Sequence, residues 1–348
     1  MHHFFKHFDF TSSADNIKPI IGLVKLLPLP GSIRFKSVDR LDEIMARAEQ
    51  EATALASGGV HGLLVENTLD QSFSAQPGSN QPMAEFSQSL DPAATVMVGH
   101  IVRRLRQVTG LPVGIQILPN DPVTALGIAA VSQASMIRVP LAVGAKVAPD
   151  GFMNGQLTRL LAYQKALAFS DMPLILMDLS THHILPGDAL KESYALPAQL
   201  KPLTHAETAG PVGHLYRLAR YIESQCSPEV LKQSVFVVSD AEIAINDIAR
   251  LRELLEVPIM VWSQKLLAGA GEDPDLAEAD VSAYSAASGL ILDAGIRKRV
   301  KNNLLPTVDM VKVETLVHKL QSTKSIGELE ASDPDFFVGH HPGHPSNL

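Results

Sequence analysis

The residues with the most chemistry to offer gather where short apolar runs end. Residues 174–177, LILM, form such a run; Asp178 closes it, and Ser180, Thr181, His182 and His183 follow. A carboxylate close to a histidine suits general acid–base work, with Asp178 orienting His183 as the base. The pattern recurs along the chain. Glu66 and Asn67 follow the run at 60–65, and Asn120 and Asp121 follow the run at 112–118. Lys25 stands near the end of the first run, 19–26, and Arg138 lies between apolar residues at 136–139. Asp150 sits in the long loop PLAVGAKVAPDGFMNG that comes next. The candidate catalytic residues are therefore Asp178, His183, Glu66 and Asp121. The candidate ligand-binding residues are Lys25, Asn67, Asn120, Arg138 and Asp150.

Several of these side chains have a plainer use. Lys25 either meets an anion or caps its strand. Glu66 and Asn67 are as suited to anchoring a loop as to chemistry, because both side chains bond turn backbones well. Asp121 precedes Pro122, the pairing expected of a helix N-cap and first helical position, and capping outweighs catalysis there. Arg138 is the sharpest case. A buried guanidinium costs several kcal/mol unless paired, so it demands a carboxylate inside the fold or an anionic ligand. Asp178, His182, His183 and Glu66 are residue types that metals accept. No motif fixes their geometry, so neither a metal nor a cofactor is expected.

The elements that position these groups repeat. Apolar runs at 19–26, 60–65, 112–118, 136–139, 174–177, 235–239, 258–262 and 289–293 read as strands buried on both faces. Helical spacing or a helix-sized connection follows each, clearest at 39–57, 91–109, 122–133 and 211–224. Eight such units predict a (β/α)8 TIM barrel, with ligands at the carboxyl ends of the strands. The alternative is an open doubly wound sheet. It is disfavoured because LPLPG after the first strand supplies no G-x-G-x-x-G turn. The expected organisation is an N-terminal extension, 1–18; a barrel, 19–321, with insertions near 69–89 and 185–210; and a polar tail, 322–348, carrying His340, His341 and His344.

Composition bounds the function. A net charge of -8 over 348 residues leaves no basic footprint for nucleic acid. The single Cys226 excludes an intrachain disulfide framework. No apolar run approaches the length of a membrane span, and the start, MHHFFKHFDF, lacks a signal peptide's apolar centre.

GLVKLLPLPGS, AEQEATALASGGVHGLLVEN, PVGIQILPNDPVTALGIA and MIRVP with DGFMNG resemble the BtpA family of TIM-barrel proteins. The likeness is dense in the first half and thins after Asp178. It implies a barrel and, for photosynthetic members, a part in photosystem I biogenesis or stabilisation on the stromal side of the thylakoid. The partners so implied are a photosynthetic complex or its assembly factors, with a small polar ligand and a homo-oligomer as further expectations, and a cytoplasmic or stromal, peripheral location. Against the family pattern, Lys25 replaces a histidine, His182 a lysine and Asp240 a glycine. Trp262, Ser263 and Gln264 replace a G-S-G turn, and Asp293 stands in a serine-rich one. An indole and a carboxylate there are expected to close the usual phosphate corner of a barrel, which favours an accessory protein with a degenerate site over a hydrolase-like enzyme of sugars, nucleosides or similar metabolites.

Overall fold

The computed structural model describes residues 18–70, 89–148, 151–169, 171–185, 210–264, 284–301 and 303–322. Asp150, most of both insertions and the polar tail lie outside them. Eight parallel strands close into a barrel, each beside its neighbour in sequence, with the last pairing the first. They are β1 (Ile20–Lys25), β2 (Gly62–Glu66), β3 (Val113–Gln116), β4 (Met136–Val139), β5 (Leu174–Leu179), β6 (Ser234–Ser239), β7 (Ile259–Ser263) and β8 (Gly289–Leu292). The closed barrel excludes the open-sheet alternative. Helices follow the strands: α1 (Leu41–Ser57), α2 (Pro92–Thr109), α3 (Pro122–Ser132), α4 (Leu157–Leu167), α5 (Gly210–Gln225) with the short α6 (Pro228–Lys232), α7 (Ile245–Leu254) and α8 (Met310–Ser322). Between β7 and β8 the described residues hold only a 3-10 turn, Tyr284–Ala286.

Strand side chains alternate faces with a period of two. One set, including Ile21, Leu64, Met136, Leu176, Val237 and Met260, fills the barrel. The other set meets the helices in a larger core with Ile44, Ile101, Leu126, Leu160 and Leu215. Gly114 belongs to the inner set and leaves room there, because a Cβ on it would lie 2.1 Å from Met136 Cγ.

Two antiparallel hairpins were not expected from the sequence. Arg297–Lys298 pairs with Thr307–Val308 after β8. Ala145–Ala148 pairs with Gly151–Asn154 after β4, where a loop was foreseen. Gly144 starts that second hairpin at φ +75°, with the carbonyl of Ile184 where a Cβ would stand. Only glycine fits there.

Candidate functional site at the barrel mouth

Two residues beyond the last apolar layer, every strand turns a different kind of side chain into the mouth. Lys25, Glu66, Gln116, Arg138, Asp178, Ser239 and Trp262 continue the inner parity of the strands, and Asp293 follows β8. In register, Lys25 neighbours Glu66, Glu66 neighbours Gln116, and Gln116 neighbours Arg138. A charged and amide ring thus closes the top of an apolar core.

Arg138 is 1% exposed and is the hub of this ring. Its Nε donates to Asp178 Oδ1 at 2.8 Å and its Nη2 to Oδ2 at 2.9 Å. Its guanidinium carbon stands 4.3 Å from the centroid of the Trp262 ring, a cation–π contact. Burial lifts the Asp178 carboxyl above its ordinary range even with Arg138 opposing the shift. Lys25 Nζ meets Asp293 Oδ1 at 2.6 Å, with Arg297 Nε 3.6 Å from the same oxygen. Glu66 is buried and accepts a hydrogen bond from Thr68 Oγ1 at 2.7 Å; burial raises its carboxyl too.

A cavity of about 410 Å³ opens against this ring. Its described lining includes Gln116, Arg138, Asp178, Trp262, His183 and Lys146. Glu242 joins from the start of the α7 segment, accepting from Ser180 Oγ at 3.0 Å and from Thr181 N at 2.8 Å. Four polar atoms around the cavity are buried without a hydrogen-bond partner: Asp70 Oδ2, Gln116 Oε1, Arg138 Nη1 and Trp262 Nε1. Buried polar atoms are nearly always paired, so this concentration of donors and acceptors marks the cavity wall as a candidate for ligand contact.

His183 is 3% exposed. Burial, with Lys146 assisting, pushes its imidazole down to about 4. The unfolded chain therefore takes up that proton first. The stability His183 contributes is full above pH 6.5 and is lost as pH falls toward about 4, a loss of at most about 3 kcal/mol. Asp178 and Glu66, raised by burial, tilt the profile the other way. We expect the difference between the wild type and His183→Gln, followed by urea unfolding from pH 7 to 4, to show the histidine's slope alone. A difference that stays flat over that window would contradict the buried neutral ring.

The sequence candidates separate into two groups. Lys25, Glu66, Arg138, Asp178 and His183 come together at the mouth. Three others spend their side chains on backbone groups. Asn67 accepts from Leu118 N at 2.7 Å and donates to Leu118 O at 3.3 Å. Asn120 is likewise used up on Leu141 N, Leu141 O and Asn154 O. Asp121, offered as catalytic, caps α3 through Thr124 N and ties down Leu90 N. The expected pairing of Asp178 with His183 is also replaced, since both Asp178 oxygens go to Arg138. Trp262 does not fill the mouth but walls the cavity, and Asp293 is neutralised by Lys25 rather than left to repel.

Gln116, Lys146 and Glu242 were missed. Gln116 had a signal: it is the polar residue at inner parity in GIQIL, beside Arg138 in register. Lys146 and Glu242 had none, since they reach the mouth from a hairpin and a loop. No group of three or more histidine, cysteine or acidic residues among the described residues is arranged to hold a metal, and no helix among them is long and apolar enough to cross a membrane.

Residues 16–187 match the model of the BtpA family. The chain is 40% identical over 168 residues, 48% of its length, to the photosystem I biogenesis protein BtpA of Synechocystis, covering 53% of that protein. It is 32% identical over 150 residues, 43% of its length, to an uncharacterized protein of Methanocaldococcus jannaschii, covering 52% of it. The chain thus spans about half the length of these curated relatives. Among solved structures it resembles the 7,8-dihydropteroate synthase of Vibrio fischeri, with 11% identity, a TM-score of 0.47, and 91% of this chain and 95% of that one covered.

Proposed function

We propose, from the match of residues 16–187 to the BtpA family model, that the chain is a TIM-barrel protein that binds a small polar metabolite at its mouth in the service of photosynthetic-complex biogenesis. The observation that carries the binding role is the Arg138–Asp178 fork stacked on Trp262 beside a cavity of about 410 Å³, with unpartnered polar atoms at its wall. A barrel whose mouth served only as a stopper would satisfy those atoms internally. The cellular setting rests on likeness to the Synechocystis protein, and the partners proposed with it are photosystem I or its assembly factors at the stromal or cytoplasmic thylakoid surface.

Trp262 is the chain's single tryptophan and lines the cavity, so intrinsic fluorescence reports on the mouth. A metabolite library scored by that signal and by thermal shift is expected to yield a ligand whose affinity falls by about tenfold in Lys146→Ala, the loss of one charged hydrogen bond. Lys146 is half-buried on the rim hairpin, so its removal leaves the core intact. A library without a hit, or hits that leave the Trp262 emission unmoved, overturns the binding role. Affinity capture from a photosynthetic host checks the setting separately: photosystem I subunits should be retained.

A second reading, an enzyme acting on that metabolite, is favoured by His183. His183 stands on the cavity wall, and an imidazole there is a residue type suited to proton transfer. Turnover of the ligand, abolished in His183→Gln with binding preserved, would establish it.

A further inference from the structure

The cavity's own chemistry narrows what it accepts. Its described lining holds two cations, Arg138 and Lys146, against three carboxylates, Asp70, Asp178 and Glu242. Arg138 is already engaged by Asp178 through two hydrogen bonds. An anionic ligand would therefore face more carboxylate than free positive charge, and a phosphate dianion most of all. A cationic ligand is no better matched. Two of the four unpartnered atoms around the cavity are donors, Arg138 Nη1 and Trp262 Nε1, and they require an acceptor that a cation does not bring.

The other two are acceptors, Asp70 Oδ2 and Gln116 Oε1, and Gln116 is the strand residue that pairs with Arg138 in register. Gln116 and Arg138 stand on adjacent parallel strands, whose backbones run about 4.8 Å apart. Both residues are nearly inaccessible, at 3% and 1%. An acceptor on one strand, with donors on the next strand and on the indole stacked against it, is what the edge of an amide answers, its C=O toward the arginine and indole and its N–H toward the glutamine. The indole with its stacked guanidinium gives a flat wall, and Leu118, Pro140, Leu179 and Val237 give apolar ones.

We propose, resting on the ligand-binding reading above, that the mouth selects a neutral, flat molecule bearing a carboxamide or lactam edge, read by Gln116, Arg138 and Trp262. Gln116 is the specificity residue in this assignment. It has no hydrogen-bonding partner for its oxygen, and so no structural use for it that the ligand would have to displace.

The test compares matched probes on the full chain by calorimetry and Trp262 fluorescence: benzamide, benzoate, phenyl phosphate and methyl glucoside. Benzamide is expected to bind about tenfold or more tighter than the other three, the margin of one satisfied against one broken buried hydrogen bond. In Gln116→Met, which keeps the side chain's length and drops the acceptor, that preference is expected to vanish. Benzoate or phenyl phosphate binding tighter would make this an anion site, and methyl glucoside tighter a hydroxyl site; each overturns the inference while leaving a ligand site in place. A benzamide preference unmoved by Gln116→Met, or silence from all four probes, overturns it as well. Failure of the broader binding role would show instead in the metabolite screen, where no compound of any class would perturb Trp262.

Discussion

Replacing Arg138 by methionine is expected to destabilise the barrel by about 3–5 kcal/mol, read as a shift in the urea midpoint at pH 7 with little change in slope. The argument turns on what is left behind. Arg138 is almost fully buried, and it supplies both hydrogen bonds to the Asp178 carboxylate. Without it, Asp178 becomes an uncompensated charge inside the barrel or takes a proton, and either course costs free energy. The Trp262 face loses its cation at the same time, worth about 1 kcal/mol more. The double variant Arg138→Met with Asp178→Leu removes both charges together. It should recover most of the loss, because replacing a buried pair by apolar groups of similar volume is often close to neutral. Asp178→Leu alone should be nearly as damaging as Arg138→Met, since the guanidinium is then the orphan. A single Arg138→Met chain within about 1 kcal/mol of wild type would mean that solvent reaches the pair, which the burial of Arg138 denies.

Arg138 also shows why part of the site was legible in the sequence and part was not. A charged residue at the centre of MIRV cannot be left unpaired in a covered strand, so its partner had to lie within the barrel. Parity could not say which carboxylate that would be, and the expected Asp178–His183 pair lost to a better geometric fit with the guanidinium fork. Strands read well because eight short apolar runs admit few arrangements, and β4 coincides with its expected bounds. Asn67, Asn120 and Asp121 stayed open between two uses for the opposite reason. Polar residues just past a strand serve loop backbones as readily as ligands, and the sequence carries no sign of which backbone groups need a partner. Lys146 reaches the mouth only because Ala145–Ala148 pairs with Gly151–Asn154, seated by Gly144 against Ile184. That arrangement depends on contact between two loops distant in sequence, and no local pattern announces it.

Glu51 is the other position where one substitution should be felt throughout the barrel. It lies on the buried stripe of α1 with Ala48, Ala52 and Leu55, and is 2% exposed. The apolar spacing of that helix drew attention to its neighbours and passed over the one charge among them. Its carboxylate accepts from Lys25 N at 3.2 Å, from Arg47 Nη2 at 2.7 Å and from Arg297 Nη1 at 3.0 Å. Arg297 in turn donates to the carbonyl of Leu23 and approaches Asp293, which holds Lys25. One carboxylate thus ties α1, the end of β1 and the segment after β8 together at the seam where the first and last strands meet. Glu51→Met keeps the side chain's volume and strands Arg297, whose side chain is 4% exposed. We expect a loss of about 3 kcal/mol, the lower end for breaking a buried pair because Asp293 and two backbone carbonyls still face the guanidinium. Glu51→Gln preserves an acceptor and should cost about half as much. Hydrogen exchange separates this seam from a general weakening. Amides of β1 and β8 should lose protection first in Glu51→Met, with β4 and β5 on the far side of the barrel unchanged. Uniform loss of protection around the ring would show that Glu51 supports only the helix that carries it.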